Sequence, residues 1–105
     1  MSFVVRFSAE AREDLRRLYE HLLDRAAQVE DLALAERAIE AIETAAAVHL
    51  SRTPFIYRKA PAGDGLRREL VVPFGPAGYV VLYEIATPSQ VVVLAVRHQR
   101  EEDYH

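Results

Sequence analysis

Two stretches close to the C-terminus, YVVLYEIA (residues 79–86) and VVVLAVR (residues 91–97), are apolar at almost every position. A strand with one face in water alternates apolar and polar residues, so a continuous run of β-branched and aromatic side chains must be covered on both faces. These runs are expected at the centre of a sheet. The TPSQ between them, rich in turn-forming residues, joins them as an antiparallel pair. A third run, LRRELVV, carries Arg67, Arg68 and Glu69 and is expected nearer an edge, connected through PFGPAG. Gly63, Gly65, Gly75 and Gly78 read as turn residues, since neither AGDGL nor PFGPAGY matches a phosphate-binding loop or a dinucleotide fingerprint.

The elements that cover such a sheet lie upstream. FVVRF reads as a short strand and is followed by Ser8, a good N-cap. Ala11, Leu15, Leu18, Leu22 and Ala26 then recur at helical spacing, the stripe of a helix that packs on one face. A second helix opens near Glu30 and Asp31, whose charges suit a helix N-terminus, with Leu34, Ala38, Ile42 and Ala45 along its stripe. The polar AAQVED link folds the two into an antiparallel hairpin. Pro54 ends the second helix by about Arg52, and TPFIYRKAPAGDG is expected as irregular structure. Strand, helix, helix and three strands imply a two-layer α+β fold, a helical hairpin lying on one face of a three-stranded antiparallel meander. At 105 residues, half of them apolar, one domain spanning 1–105 is expected.

Several kinds of chemistry are excluded by composition. The chain has no cysteine, so disulfides, thiolate metal sites and cysteine nucleophiles are absent, and a reducing, cytoplasmic setting is expected. The apolar-leaning run at the N-terminus is too short for a signal peptide or a membrane span. His21 and His49 lack a partner at a metal spacing and read as ordinary helix residues; His98 and His105 match no metal signature. Ser8, Ser51 and Ser89 lie in no nucleophile motif. No metal, no cofactor and no membrane partner are expected.

Charge is unevenly distributed. The net charge is −3, yet residues 51–100 hold seven cations against three acids, whereas residues 1–50 hold six arginines against ten acids. At the C-terminus the apolar run gives way to RHQREEDYH. Arg97, His98 and Arg100 are expected at one end of a central strand, sharing a surface with Arg67 or Arg68. Such a group can bind a phosphodiester, with His98 or Tyr104 as general acid or base. A solvated basic rim partly neutralised by Glu101, Glu102 and Asp103 is the other reading. Residues 97–105 contain no aliphatic side chain to anchor a core, so the tail is expected to serve function rather than stability.

The run RRELVVPFGPAGYVVLYEI…VVVLAVRHQREEDY, with Gly78, Tyr79 and Tyr83 in a G-Y-x-x-x-Y pattern and His98 and Arg100 in H-x-R, resembles the ParE branch of the RelE/ParE toxin superfamily. The resemblance spans the chain. It implies a plasmid-stabilisation type toxin of a bacterial toxin-antitoxin pair, in which RelE-like members cut messenger RNA on the ribosome and ParE-like members poison DNA gyrase. Ribonuclease members carry an arginine directly after G-Y, as G-Y-R-L-V-Y, whereas this chain has Val80. Losing a charge-stabilising donor costs about 2–4 kcal/mol of barrier. A further family arginine aligns with His98, while the family's terminal tyrosine aligns with Tyr104.

The resemblance thus implies a gyrase inhibitor that acts by protein binding, needs no direct nucleic-acid contact, and is not itself a catalyst. It would dock on its target through Arg97, His98, Arg100, Tyr104, Arg67 and Arg68. A ParD-like antitoxin would neutralise it, laying its C-terminal segment across Leu15, Leu18, Tyr19, Leu22 and Leu23. The alternatives are a RelE-type messenger-RNA interferase using His98, Arg100, Arg68 and Tyr104, and an antitoxin-binding protein without an active target.

Overall fold

The computed structural model describes residues 2–61 and 65–101. It is the two-layer α+β fold expected: β1 (Val4–Phe7), α1 (Ala9–Asp24), α2 (Val29–Arg52), β2 (Arg58–Lys59), β3 (Arg67–Phe74), β4 (Ala77–Thr87) and β5 (Gln90–His98). One sheet runs in the order β1-β5-β4-β3-β2, with β1 parallel to β5 and every other pair antiparallel. The two apolar runs are its central strands. The turns between strands are shorter than the sequence suggested, because Gly75 at positive φ lets Phe74 pair directly with Ala77, and Thr87 pairs with Gln90. The segment expected to be irregular contains β2, a two-residue strand that extends the sheet beyond β3.

Both helices cover one face. Ala11 and Leu18 from α1, and Ala38, Ile42, Ala46 and Leu50 from α2, pack on Leu70, Val72, Tyr79, Val81, Tyr83, Val91, Val93 and Val96. Alanine dominates the buried side of α2, which lets its backbone lie close to the sheet. Its stripe runs through Ala35, Ala38, Ile42, Ala46 and Leu50, so Leu34, expected inside, is 46% exposed. The turn before α2 is held by Asp31, whose carboxylate accepts the backbone N–H groups of Ala27 and Gln28 at 2.9 and 3.1 Å. Among the described residues no helix is long and apolar enough to cross a membrane.

Strand β5 is longer than the neighbour that covers its outer edge. Pairing with β1 ends at Phe7 and Val93, and α1 takes over from there. Ser8 donates its N–H to the Val93 carbonyl at 2.9 Å and its hydroxyl to the Leu94 carbonyl at 3.3 Å, while that hydroxyl also caps α1 by accepting the Ala11 N–H. One helical turn further on, buried Asp14 accepts the Val96 N–H at 2.9 Å. A carboxylate and a hydroxyl therefore stand in for the missing strand, as a buried backbone donor requires. A bulge lies beside this seam. The β4–β5 register shifts between Leu82 and Tyr83, so the helix-facing positions of β5 run Val91, Val93 and then Val96.

Tyr83 links the sheet to the chain leaving α2. Its hydroxyl is buried and donates to the Pro54 carbonyl at 2.5 Å, and burial pushes the phenol up to about 12, keeping it a neutral donor.

Replacing Asp14 by Ala leaves the Val96 N–H buried without an acceptor, and the expected loss of stability is about 1.5–3 kcal/mol. Asp14→Asn retains an acceptor oxygen and should lose less. Urea denaturation of the three proteins orders them; an Ala variant as stable as the parent would show that the carboxylate does not carry the strand edge.

Candidate functional site

The end of β5 presents its side chains to two different faces. In the β4–β5 register Val80 pairs with Arg97 and Tyr79 with His98. Neighbouring residues of a strand point to opposite faces, so Arg97 lies on the face away from the helices and His98 on the face beneath them. The single cationic surface expected from the tail is thus divided by the sheet.

On the open face, Arg97 is buried rather than displayed. Its Nη2 lies 3.6 Å from Oε2 of Glu69, and Oε1 of Glu69 accepts the Arg58 Nε–H at 2.9 Å. Glu69 is 2% exposed and Val80 0%. The other terminal nitrogen of Arg97 donates to the carbonyls of His98 and Gln99 at 3.3 and 3.4 Å, and to that of Glu101. The position where ribonuclease relatives are expected to carry an arginine is therefore a sealed valine, next to a guanidinium already balanced by a carboxylate.

The start of the tail is fastened as well. Gln99 donates its N–H to the Gly78 carbonyl at 2.8 Å, and the Glu101 carboxylate accepts the His98 N–H at 3.1 Å. These bonds tie the first residues of the tail, expected to serve function rather than stability, to the end of the sheet. Gly78 is also misread as a turn residue: it sits inside β4, where a Cβ would lie 2.3 Å from the Val72 carbonyl oxygen, so no larger residue fits.

On the helix face a cleft of about 530 Å³ opens between α1 and the end of the sheet, lined by Arg17, His21, Leu22, Arg25, Tyr79, His98 and Arg100 among others. The His98 ring stands edge-on to Tyr79, with centroids 5.5 Å apart. Its Nδ1 accepts the Arg100 N–H at 3.1 Å. Burial raises the Tyr79 hydroxyl above its usual range.

Arg67 and Arg68 do not join this group. They pair with Glu84 and Tyr83, four and more residues along β4 from Tyr79, a separation of about 13 Å. Arg68 is committed to the Tyr57 carbonyl at 2.7 Å. Tyr104, His105, Glu102, Asp103 and Gly63 lie outside the described residues. Arg17, His21 and Arg25 were missed from the sequence although their spacing of four and four puts them on one side of a helix; His21 read as an ordinary helix residue.

The helical hairpin carries a second concavity, a groove of about 490 Å³ between α1 and α2 floored by Leu15, Tyr19 and Ile39. Arg12 and Arg16 rim it from α1, and Glu36, Glu40 and Glu43 from α2. Of the five residues expected to receive a partner, Leu15 and Tyr19 line this groove and Leu22 lines the basic cleft. Leu18 is 4% exposed, belongs to the core and touches the same cleft as Leu22. Leu23 is half-buried at the side. Among the described residues no cluster of His, Cys, Asp or Glu is placed to hold a metal ion.

A family model described as ParE toxin of type II toxin-antitoxin system, parDE, matches residues 5–103. A curated relative, Toxin RelE3 of Caulobacter vibrioides, is 35% identical over 97 residues, which span 92% of this chain and 95% of that protein. A solved structure described as the chromosomal ParDE TA system from P. aeruginosa superposes with a TM-score of 0.68 at 15% identity, covering 91% of this chain and 95% of that one; this likeness is one of fold.

Removing the Glu69 carboxylate strands the buried Arg97 guanidinium, and Glu69→Ala is expected to cost about 3–5 kcal/mol. Replacing both partners, as in Glu69→Leu with Arg97→Met, should cost less than the single change because no charge is left buried alone. Chemical denaturation of the three proteins measures the difference, and a double variant less stable than the single one would contradict a charge-driven role.

Proposed function

The chain belongs to the ParE toxin family of type II toxin-antitoxin systems, and on that premise we propose that it acts by binding and inhibiting DNA gyrase rather than by cutting RNA. The observation that carries this reading is Val80. A phosphoryl-transfer site needs preorganised donors aimed at developing negative charge. Here the position after Gly78-Tyr79 is a fully buried valine, and its cross-strand neighbour Arg97 is already engaged with Glu69.

A second reading, ribosome-dependent messenger-RNA cleavage, draws support from the curated relative named Toxin RelE3. Of the residues it would use, His98 and Arg100 share the basic cleft, whereas Arg68 lies at the other end of the sheet with its guanidinium on the Tyr57 carbonyl. The geometry therefore favours inhibition by binding, with half-buried His98 and exposed Arg100 as the contacts. The expected assay outcome is loss of gyrase supercoiling on addition of the purified protein, while a reconstituted translation reaction keeps its messenger RNA intact. Codon-dependent cleavage with unaffected supercoiling would reverse the assignment.

The antitoxin is the second partner, and we assign its ParD-like C-terminal segment to the groove between α1 and α2. An apolar floor with arginines on one rim and glutamates on the other suits an amphipathic segment carrying the complementary charges. Tyr19 and Leu23 stand outside the core cluster, so changing both to Ser should leave the domain folded and weaken antitoxin binding by about tenfold or more, a loss of about 1.4 kcal/mol or more. Unchanged affinity in a folded variant would place the antitoxin elsewhere.

A further inference from the structure

Among the described residues, the cleft between α1 and the end of the sheet is lined by more cations than acids. Arg17, Arg25 and Arg100 line it against one acid, Glu101, in a chain whose net charge is −3.

Arg17 shows that an acceptor is wanted there. Its Nη1 is 3.9 Å from the Glu101 carboxylate and its Nη2 4.0 Å from that of Asp14, both too far for a hydrogen bond. Its Nε and Nη2 are shielded from water and have no hydrogen-bond acceptor among the described residues. Asp14 cannot move closer without releasing the Val96 N–H, which its other oxygen accepts. Buried donors without partners are rare in folded proteins. The side chain as a whole is 37% exposed, so its fork can turn toward the mouth of the cleft.

The remaining lining is not that of a bare anion site. Leu18 and Leu22 from α1, and the Tyr79 and His98 rings from the sheet, give it an apolar and aromatic floor. The volume, about 530 Å³, exceeds what an inorganic anion fills and lies within the range of small-molecule sites. A carboxylate would satisfy one arginine and leave the others uncompensated. A phosphate brings several acceptor oxygens and matches the guanidinium fork.

We propose that this cleft binds one nucleotide unit, its phosphate held by Arg17, Arg25 and Arg100 and its base lying against Leu22 and the His98 ring. The site is separate from the sealed Val80 face, and the inference does not depend on which cellular target the protein has. A free nucleotide and a unit of a single strand present the same chemistry, and the test distinguishes them.

Calorimetric titration of the full chain with inorganic phosphate, AMP and a short oligothymidylate provides that test. AMP is expected to bind at least about tenfold more tightly than inorganic phosphate, since only AMP reaches the apolar floor. Arg17→Gln and Arg100→Gln should each weaken AMP binding by about tenfold. Arg37→Gln, exposed on α2 outside the cleft, should leave it unchanged. His98→Ala should weaken AMP while sparing inorganic phosphate, and thermal unfolding of each variant confirms that it is folded. Oligothymidylate binding tighter than AMP identifies the source as a strand; the reverse order identifies a free nucleotide. AMP no tighter than inorganic phosphate, absence of binding by all three probes, or an Arg37→Gln effect equal to that of Arg17→Gln overturns the proposal.

Discussion

The outer edge of β5 is where the layers of this protein are joined. A central strand that outruns its neighbour leaves backbone N–H and C=O groups facing nothing, and a buried group in that state costs about 1–3 kcal/mol. Ser8 and Asp14 meet three of those groups from α1. The helix is thereby fixed against the strand by directed bonds as well as by the packing of Ala11 and Leu18. Everything at the C-terminal end of β5 inherits its position from that seam. With α1 held there, Arg17, His21 and Arg25 hang over the same end of the sheet from which His98 and Arg100 emerge.

The two faces of that end have been put to different uses. On the open face, Glu69 draws Arg97 and Arg58 together above the central strands, and a pair of buried charges takes the place of a covering layer. Ion pairs of this kind contribute little net stability compared with apolar packing, but they fail badly when one partner is removed. They also leave Arg97, the cation beside Val80, already engaged. On the helix face, Arg17, Arg25 and Arg100 line the cleft with Glu101 as the one acid among the described lining residues.

The likeness to ParE-family proteins agrees with this picture without dictating it. Of the residues that would serve phosphodiester cleavage, His98 and Arg100 share the cleft and Arg68 is set apart from them. Val80 is sealed, Arg68 is tied to the Tyr57 carbonyl, and Arg97 faces away from His98. Gly78, part of the motif that carries the resemblance, has a packing reason to be glycine, because the Val72 carbonyl occupies the space of a side chain. A motif residue can therefore persist for the backbone geometry it permits, whatever the chemistry of the residue two positions on.

The fold class was legible in the sequence because it rests on local physics. Continuous apolar runs demand central strands, Ser8 and the spacing of Ala11, Leu15, Leu18 and Leu22 demand a one-faced helix, and Pro54 stops the second helix where it does. Such signals depend on residues a few positions apart. The site was not legible in the same way. Adjacent residues such as Arg97 and His98 look like one cluster in a sequence, and only strand geometry sends them to opposite faces. Arg67 and Arg68 share a charge with the tail but not a location, since antiparallel register places them at the other end of the sheet. Asp14 reads as a surface acid on a helix until the edge it must satisfy, 82 residues away, is in place. Periodicity specifies which side of an element is buried; what that side meets is decided by pairing and packing across the whole chain.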